Sequence, residues 1–261
     1  MVAGVKTQAP PRVQDALAFA ERLPGFVADE LQARVLSSNA HRGILNCSRQ
    51  WGKSTVAAIM AVHRAVTRPR CLVVVASPSD RQSAELVRKA RETVEALGIR
   101  VRGDGHNAIS ILLPNKSRII GLPGVDGTVR GFSAVSLMIV DEASRVRPEM
   151  YKALRPMLAV GNGDLWLLST PAGKQGFFYS TWAHGGEGWL KVEAPATACP
   201  RIGAAFLEEE RGTMGAAWFR QEYLCEFVDS ESAMVDREVV ERALDDEVAP
   251  LQLSSKPRTW T

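Results

Sequence analysis

Ten consecutive residues, NCSRQWGKST at positions 46–55, hold the densest chemistry in this chain of 261 residues. Gly52-Lys53-Ser54-Thr55 matches the end of a phosphate-binding loop. There, a glycine lets the backbone approach an anion, and the N–H groups of the following helix point at it. Lys53 would reach the β- and γ-phosphates of a nucleotide, and Ser54 would hold Mg²⁺. The usual pattern, G-x-x-x-x-G-K-[S/T], has a glycine where this chain has Cys47, and Trp51 is a bulky neighbour for Gly52. Taken alone, four residues also fit a helix capped by chance.

Three further stretches add to it. LMIVDE (137–142) is an apolar run ending in two acids. Asp141 would bind the Mg²⁺ shell, and Glu142 would orient or deprotonate an attacking water. The plain alternative is two carboxylates facing solvent. LLSTP (167–171) ends in Ser169 and Thr170, hydroxyls at a strand terminus where ligands of α/β sheets bind. They could report a γ-phosphate, or open an ordinary turn before Pro171. The glycine-rich GVDGTVRGF (124–132) displays Arg130, either a surface arginine or a group that stabilises transition-state charge in this or a neighbouring subunit. The order, phosphate loop, intervening βα units, then strand-Asp-Glu, is what ATP hydrolysis requires.

The elements around these motifs alternate. DALAFAERL and FVADELQARVLSS have helical spacing, and GILNCS is an apolar strand leading into the loop. KSTVAAIMAVHRAV is helical and stops before Pro69. CLVVVAS is a buried strand, and the next segment to Gly98 is a long helix capped by Ser79 or Asp80. AISILLP and SRIIGLP flank Asn115-Lys116 as a hairpin. A helix is expected from Pro148 to about Leu158, and DLWLLSTP and GWLKVEAP read as strands. The alternation predicts an α/β fold, a mainly parallel sheet flanked by helices. With the motifs it is a P-loop NTPase of the RecA-like (ASCE) kind. Residues 1–199 form the ATPase core with its N-terminal helices. From about Cys199 the pattern turns helical, so residues 200–261 are read as a small helical lid subdomain and an acidic linker.

Composition narrows the function classes. No apolar run is long enough to span a membrane, and the N-terminal segment lacks the regions of a secretory signal. Four scattered cysteines argue against a disulfide framework and for a reducing cytoplasm. The net charge is +3, but residues 229–247 hold eight acids against two arginines; with the two charges of Lys256 and Arg258 beyond them, the first 228 residues carry +7. A moderately basic body is compatible with nucleic acid, and equally with an ordinary solvated surface.

SRQWGKST, LMIVDEAS and LLSTPAG, in this order and spacing, resemble the ATPase domain of the large terminase subunit of tailed bacteriophages, over roughly residues 25–228. That family's loop, S-R-Q-x-G-K-[S/T], does not depend on the first glycine, so Cys47 is no defect and Arg49 becomes the informative position. The resemblance implies that Ser48, Arg49, Gln50, Trp51, Gly52, Lys53, Ser54 and Thr55 bind ATP, with Mg²⁺ on Ser54 and Asp141. It implies that Gln32 contacts adenine, that Arg49 approaches the γ-phosphate in cis, and that Arg130 acts in trans on a neighbour's ATP. Glu142 and Lys53 complete the catalytic set, and Ser169-Thr170 couple hydrolysis to movement.

The implied activity is ATP hydrolysis driving double-stranded DNA into a procapsid. The implied partners are a portal protein, a small terminase subunit and further copies in a ring, in the cytoplasm of an infected bacterium. The isolated domain is expected to be a slow monomeric ATPase. The C-terminal nuclease domain usual in the family is expected to be absent from this chain. Two other readings are a helicase-like translocase, which needs a second RecA-like lobe, and a non-hydrolysing P-loop scaffold. Retention of Lys53, Asp141 and Glu142 counts against the scaffold.

Overall fold

A computed structural model describes residues 15–122, 124 and 131–229. Its first helices are short and capped by side chains. Asp15 caps α1 (Ala16–Ala20) by accepting from the Ala18 N–H. Asp29 caps α2 (Glu30–Leu36) in a capping box whose second member is Gln32. The chain continues through β1 (Arg42–Cys47), α3 (Lys53–Thr67), β2 (Leu72–Ala76) and α4 (Asp80–Ala96), the last capped by Ser79 as expected. The antiparallel hairpin β3 (Ser110–Leu112) and β4 (Arg118–Leu122) follows, pairing Ser110 with Ile120. Next come β5 (Leu137–Asp141), a 3₁₀ turn (Ala143–Arg145) and α5 (Pro148–Leu154). The remainder is β6 (Asp164–Ser169), α6 (Gly176–His184), β7 (Leu190–Ala194), α7 (Ala204–Thr213) and α8 (Ala216–Leu224).

The helix expected from Pro148 to Leu158 divides at Arg155, where a 3₁₀ turn (Arg155–Leu158) takes over. Pro156 lacks the N–H that would continue the α ladder and disfavours α geometry in the residue before it. The helix α6, absent from the sequence reading, has the weakly amphipathic run GFFYSTWAH, so its spacing carried little signal.

Among the described residues seven strands form one sheet in the order β3-β4-β2-β5-β6-β1-β7, parallel except for β3. β6 lies between the phosphate-loop strand β1 and the acidic strand β5. The carboxyl ends of β1, β6 and β5 are therefore adjacent, and the three motifs that follow them share one edge. Period-two alternation sends Leu45, Val73, Val75, Ile139 and Leu168 to the face covered by α1 to α4. Ile44, Val74, Met138, Val140 and Leu167 go to the face covered by α5 and α6. Burial on both faces explains why these strands read as unbroken apolar runs.

Gly43 is required by this packing: a Cβ there would fall 2.3 Å from the ring of Trp166, its neighbour in register on β6. A small third cluster joins Leu207, Phe219 and Tyr223 of α7 and α8 to Ala196. By contact the chain divides into residues 1–228 and 229–261, so α7 and α8 belong to the first unit. Among the described residues no helix is long and apolar enough to cross a membrane.

Candidate nucleotide site

Where the usual loop pattern has its first glycine, this chain is still in strand β1. Cys47 is the last residue of β1, fully buried and paired in register with Ala194 of β7, so no glycine turn is needed there. The Ser48 N–H donates to the Ala194 carbonyl at 2.9 Å and keeps the loop on the sheet edge. The chain then turns through Gln50 (φ +63°) and Gly52 (φ +100°), both in left-handed conformations. Gly52 precedes α3 with no side-chain cap, which leaves the helix N-terminus open to an anion.

Trp51 points the other way. Its indole is fully buried in the core under α1 to α4, so it serves as a foundation for the loop. Its carbonyl accepts from Gln32 Nε2 at 3.0 Å and from Arg201 Nη2 at 2.6 Å, and Arg201 is anchored on Asp29 at 2.9 Å. Gln32 is itself buried, and its Oε1 accepts from the Asp29 N–H. Both ends of its amide are engaged below the loop, and it does not line the cleft described next.

The open side is a cleft of about 580 Å³, of a size that holds small ligands. Gln50, Gly52, Lys53, Ser54 and Thr55 line it from the loop, with Glu142 and Thr170 facing them. Lys53 Nζ lies 3.1 Å from Glu142 Oε1 and donates to Thr170 Oγ1 at 3.2 Å. Three motifs separated in sequence thus meet on one ammonium group. Glu142 stands in a left-handed conformation (φ +49°), which turns it out of the line of β5 and into the cleft. Such a backbone at a non-glycine residue is a mark of functional sites. Ser169 is buried behind Thr170, its hydroxyl 2.7 Å from that of Ser144, and the Ser144 hydroxyl donates to the Thr170 carbonyl at 2.8 Å.

A second charge chain closes the cleft. Arg145 Nη1 donates to Glu142 Oε2 at 3.0 Å, and its Nη2 to Glu222 Oε1 at 3.4 Å. Glu222, on α8, also accepts from Arg49 Nε at 2.5 Å. That hydrogen bond raises the arginine pKa further. Arg49 therefore lies in the cleft but is held by α8, and its backbone N–H donates to the Glu222 carbonyl.

Trp51 Nε1 is left without a partner in the core, and the other such buried atoms, Asn46 Oδ1, Ser48 Oγ, Ser77 Oγ and Asp141 Oδ1, lie on residues at or next to the carboxyl ends of β1, β2 and β5. Such atoms are rare in folded proteins, and their concentration marks a place where a ligand completes the bonding. Asp141 is the clearest. Burial, reinforced by neighbouring Glu142 and opposed by Lys53, pushes its carboxyl up to about 6. A divalent cation would satisfy its free oxygen and favour the ionised form, so the donor set of Asp141 and the cleft-lining Ser54 hydroxyl fits Mg²⁺.

The structure thus gathers Arg49, Gln50, Gly52, Lys53, Ser54, Thr55, Glu142 and Thr170 around one space, with Asp141 and Ser169 behind it. Ser48, Trp51 and Gln32 are buried supports. Arg130 lies outside the described residues. Sequence reading missed Arg145, Glu222, Arg201, and Gln82 and Lys89 of α4, which also line the cleft. Arg145 had a local signal, three residues after Glu142 and on the same side of a helical turn. Glu222 had none, since 173 residues separate it from Arg49.

A family model described as terminase large subunit, T4-like-virus type, N-terminal, matches residues 44–242. The large terminase subunit of Thermus virus P23-45 is 24% identical over 81% of this chain and 51% of its own length. The chain spans about half the length of the curated relatives it matches. A mutant ATPase domain of the Thermus phage P74-26 large terminase superposes with a TM-score of 0.71 at 23% identity, covering 80% of this chain and 98% of that domain. The large terminase of a second thermophilic bacteriophage, in complex with ATP-gamma-S, has a TM-score of 0.65 at 15% identity, over 76% of this chain and 52% of that one. Both are likenesses of fold, and the fold is that of a P-loop NTPase.

Proposed function

This chain belongs, through residues 44–242, to the family of terminase large subunit N-terminal domains of T4-like-virus type, and from that membership we propose that it is an ATP-hydrolysing motor domain driving double-stranded DNA into a procapsid. One observation carries the reading: Lys53, Glu142 and Thr170, from three separate motifs, meet within bonding distance beside an open helix N-terminus. The capture of a thermophilic bacteriophage's large terminase with ATP-gamma-S supports a nucleotide as the ligand of the corresponding cleft.

The phosphates of ATP would lie on the loop N–H groups and on Lys53, exchanging the Lys53–Glu142 contact for Lys53–phosphate. That exchange frees the Glu142 carboxylate to orient and deprotonate a water in line with the γ-phosphate. Thr170, sharing Lys53, and Ser169 behind it are placed to sense whether the γ-phosphate is present. Mg²⁺ on Ser54 and Asp141 would neutralise charge on the β- and γ-oxygens. Arg49 acts in cis and Arg130 on a neighbour, so full turnover requires a ring of copies; an arginine in trans contributes ~10³-fold or more. Gln32 and Arg201 serve the nucleotide through the loop they brace.

The lid and linker of residues 200–261, the portal and small-subunit partners, and work in the host cytoplasm belong to the same proposal. DNA is held through its phosphates, independent of sequence and sensitive to salt.

The test is Mg²⁺-dependent phosphate release by the wild type and Glu142→Gln, with nucleotide affinity measured on both. Binding is expected to persist while turnover falls ~10²-fold or more. Equal release by the two proteins removes Glu142 from the reaction and the motor reading with it.

A further inference from the structure

Two carboxylates in the cleft share one cation. Arg145, the last residue of the 3₁₀ turn after β5, donates to Glu142 Oε2 at 3.0 Å and to Glu222 Oε1 at 3.4 Å. The other oxygens of the same carboxylates face the phosphate loop: Glu142 Oε1 meets Lys53 at 3.1 Å, and Glu222 Oε2 meets Arg49 at 2.5 Å. The result is an alternating chain, Lys53–Glu142–Arg145–Glu222–Arg49. Its two ends line the cleft and are the cations a polyphosphate draws toward itself. Its centre, Arg145, belongs to no phosphate-binding motif.

The two carboxylates differ in what they tolerate. The Glu222 side chain is 2% exposed and the Glu142 side chain 19%. When Lys53 and Arg49 turn to phosphate, Glu142 is left in a wet cleft where water can solvate it. Glu222 is left buried, and a buried carboxylate without a counter-ion is strongly disfavoured. Among the described residues, Arg145 is then the one cation still paired with Glu222. Its planar guanidinium presents separate N–H groups to each carboxylate, which lets it exchange one bond for two on the same partner.

We propose that Arg145 is a positioning residue. It holds Glu142 aside while the cleft lacks a polyphosphate, and becomes the sole counter-ion of Glu222 when Arg49 turns toward the phosphates, so that Glu142 and the lid helix α8 change state together. The proposal rests on the cleft being an ATPase site. It requires that Arg49 cannot leave Glu222 unless Arg145 stays behind.

The experiment compares wild type, Arg145→Ala, Arg145→Lys and the double variant Arg145→Ala/Glu222→Gln. For each, kcat and KM for ATP, and affinities for ATP and ADP with Mg²⁺, are measured. Arg145→Ala leaves Arg49 as the only partner of Glu222 and traps it there. The expected result is a kcat at least about tenfold lower, the size of effect seen when a partner of a buried charge pair is removed. A weakened preference for ATP over ADP should accompany it. Glu222→Gln removes the need for a counter-ion, so the double variant should turn over faster than Arg145→Ala alone and regain the ATP preference. A merely structural role predicts the opposite, a second lesion adding to the first.

Arg145→Lys keeps the charge without the fork and should fall between. Should circular dichroism show Arg145→Ala unfolded, Arg145→Lys with and without Glu222→Gln carries the same comparison. Wild-type turnover in the single variants, or a double variant no faster than its single parent, overturns the proposal. A wild type that neither binds nor hydrolyses ATP overturns this inference and the proposed function together; a hydrolysing wild type matched by Arg145→Ala overturns this inference alone.

Discussion

Replacing Gln32 by alanine separates two ways in which a glutamine upstream of the phosphate loop can serve a nucleotide. A side chain that reads the adenine edge would be missed in the discrimination of ATP from GTP, with little effect on the fold. A side chain that braces the loop would be missed in stability, with both nucleotides affected alike. The geometry favours the brace. Gln32 is 3% exposed, donates to the Trp51 carbonyl at 3.0 Å and accepts from the Asp29 N–H at 3.2 Å. Truncation removes two neutral hydrogen bonds at roughly 1 kcal/mol each and buried methylene packing of about 1 kcal/mol more. The Trp51 carbonyl keeps Arg201, so no orphan acceptor adds to the loss.

The sum is about 3 kcal/mol, or a melting temperature lower by about 6–12 °C for a domain of this size. Gln32→Met keeps the volume but neither hydrogen bond, and should lose about two-thirds as much, roughly 2 kcal/mol. Thermal melting by circular dichroism and competition binding of ATP against GTP read the two effects separately. An unchanged melting temperature together with a lost preference for ATP would refute the brace and restore a direct contact with the base.

Gly52→Ala places a Cβ 3.0 Å from Gln32 Nε2 on a backbone at φ +100°, so it should cost about 1–3 kcal/mol. It should also weaken ATP binding more than an equally destabilising core substitution, as titration calorimetry can show. Gly43→Ala drives a methyl into the buried ring of Trp166 at 2.3 Å, and a loss of about 3 kcal/mol or failure to fold is expected in urea denaturation. Asp104 supplies the pH dependence. Burial alone would raise its carboxyl, but N–H donors from Asn107 and His106 and bonds from the Asn107 and Ser110 side chains hold it at about 2 against an ordinary 3.8. A lowered folded-state value stabilises the protein above pH 3.8, and the contribution, on the order of 2 kcal/mol, is lost as the pH falls from there toward 2. Asp104→Asn should be less stable at neutral pH and lack this acid loss, as denaturant titrations across that range can verify.

Much of the architecture was legible from short-range pattern. Apolar runs of strand length, helical spacing between them and caps such as Ser79 depend on neighbours within a few residues, and these elements formed where the pattern placed them. The motif residues Lys53, Glu142 and Thr170 converged because a parallel sheet brings successive strand ends to one edge, and the order of strands then needs only β6 between β1 and β5. Trp51 shows where pattern stops. Its place in the loop suggested a ligand contact, but which way an indole turns is decided by whether a core lies beneath it, and one does. The same holds for Gln32, whose partners were set when α2 packed below the loop, and for Arg201 and Glu222, which reach the site from 150 and 173 residues away. Such pairings leave no trace in local spacing, because charge and hydrogen-bonding capacity are properties of single residues while burial and partnership exist only once distant segments are packed together.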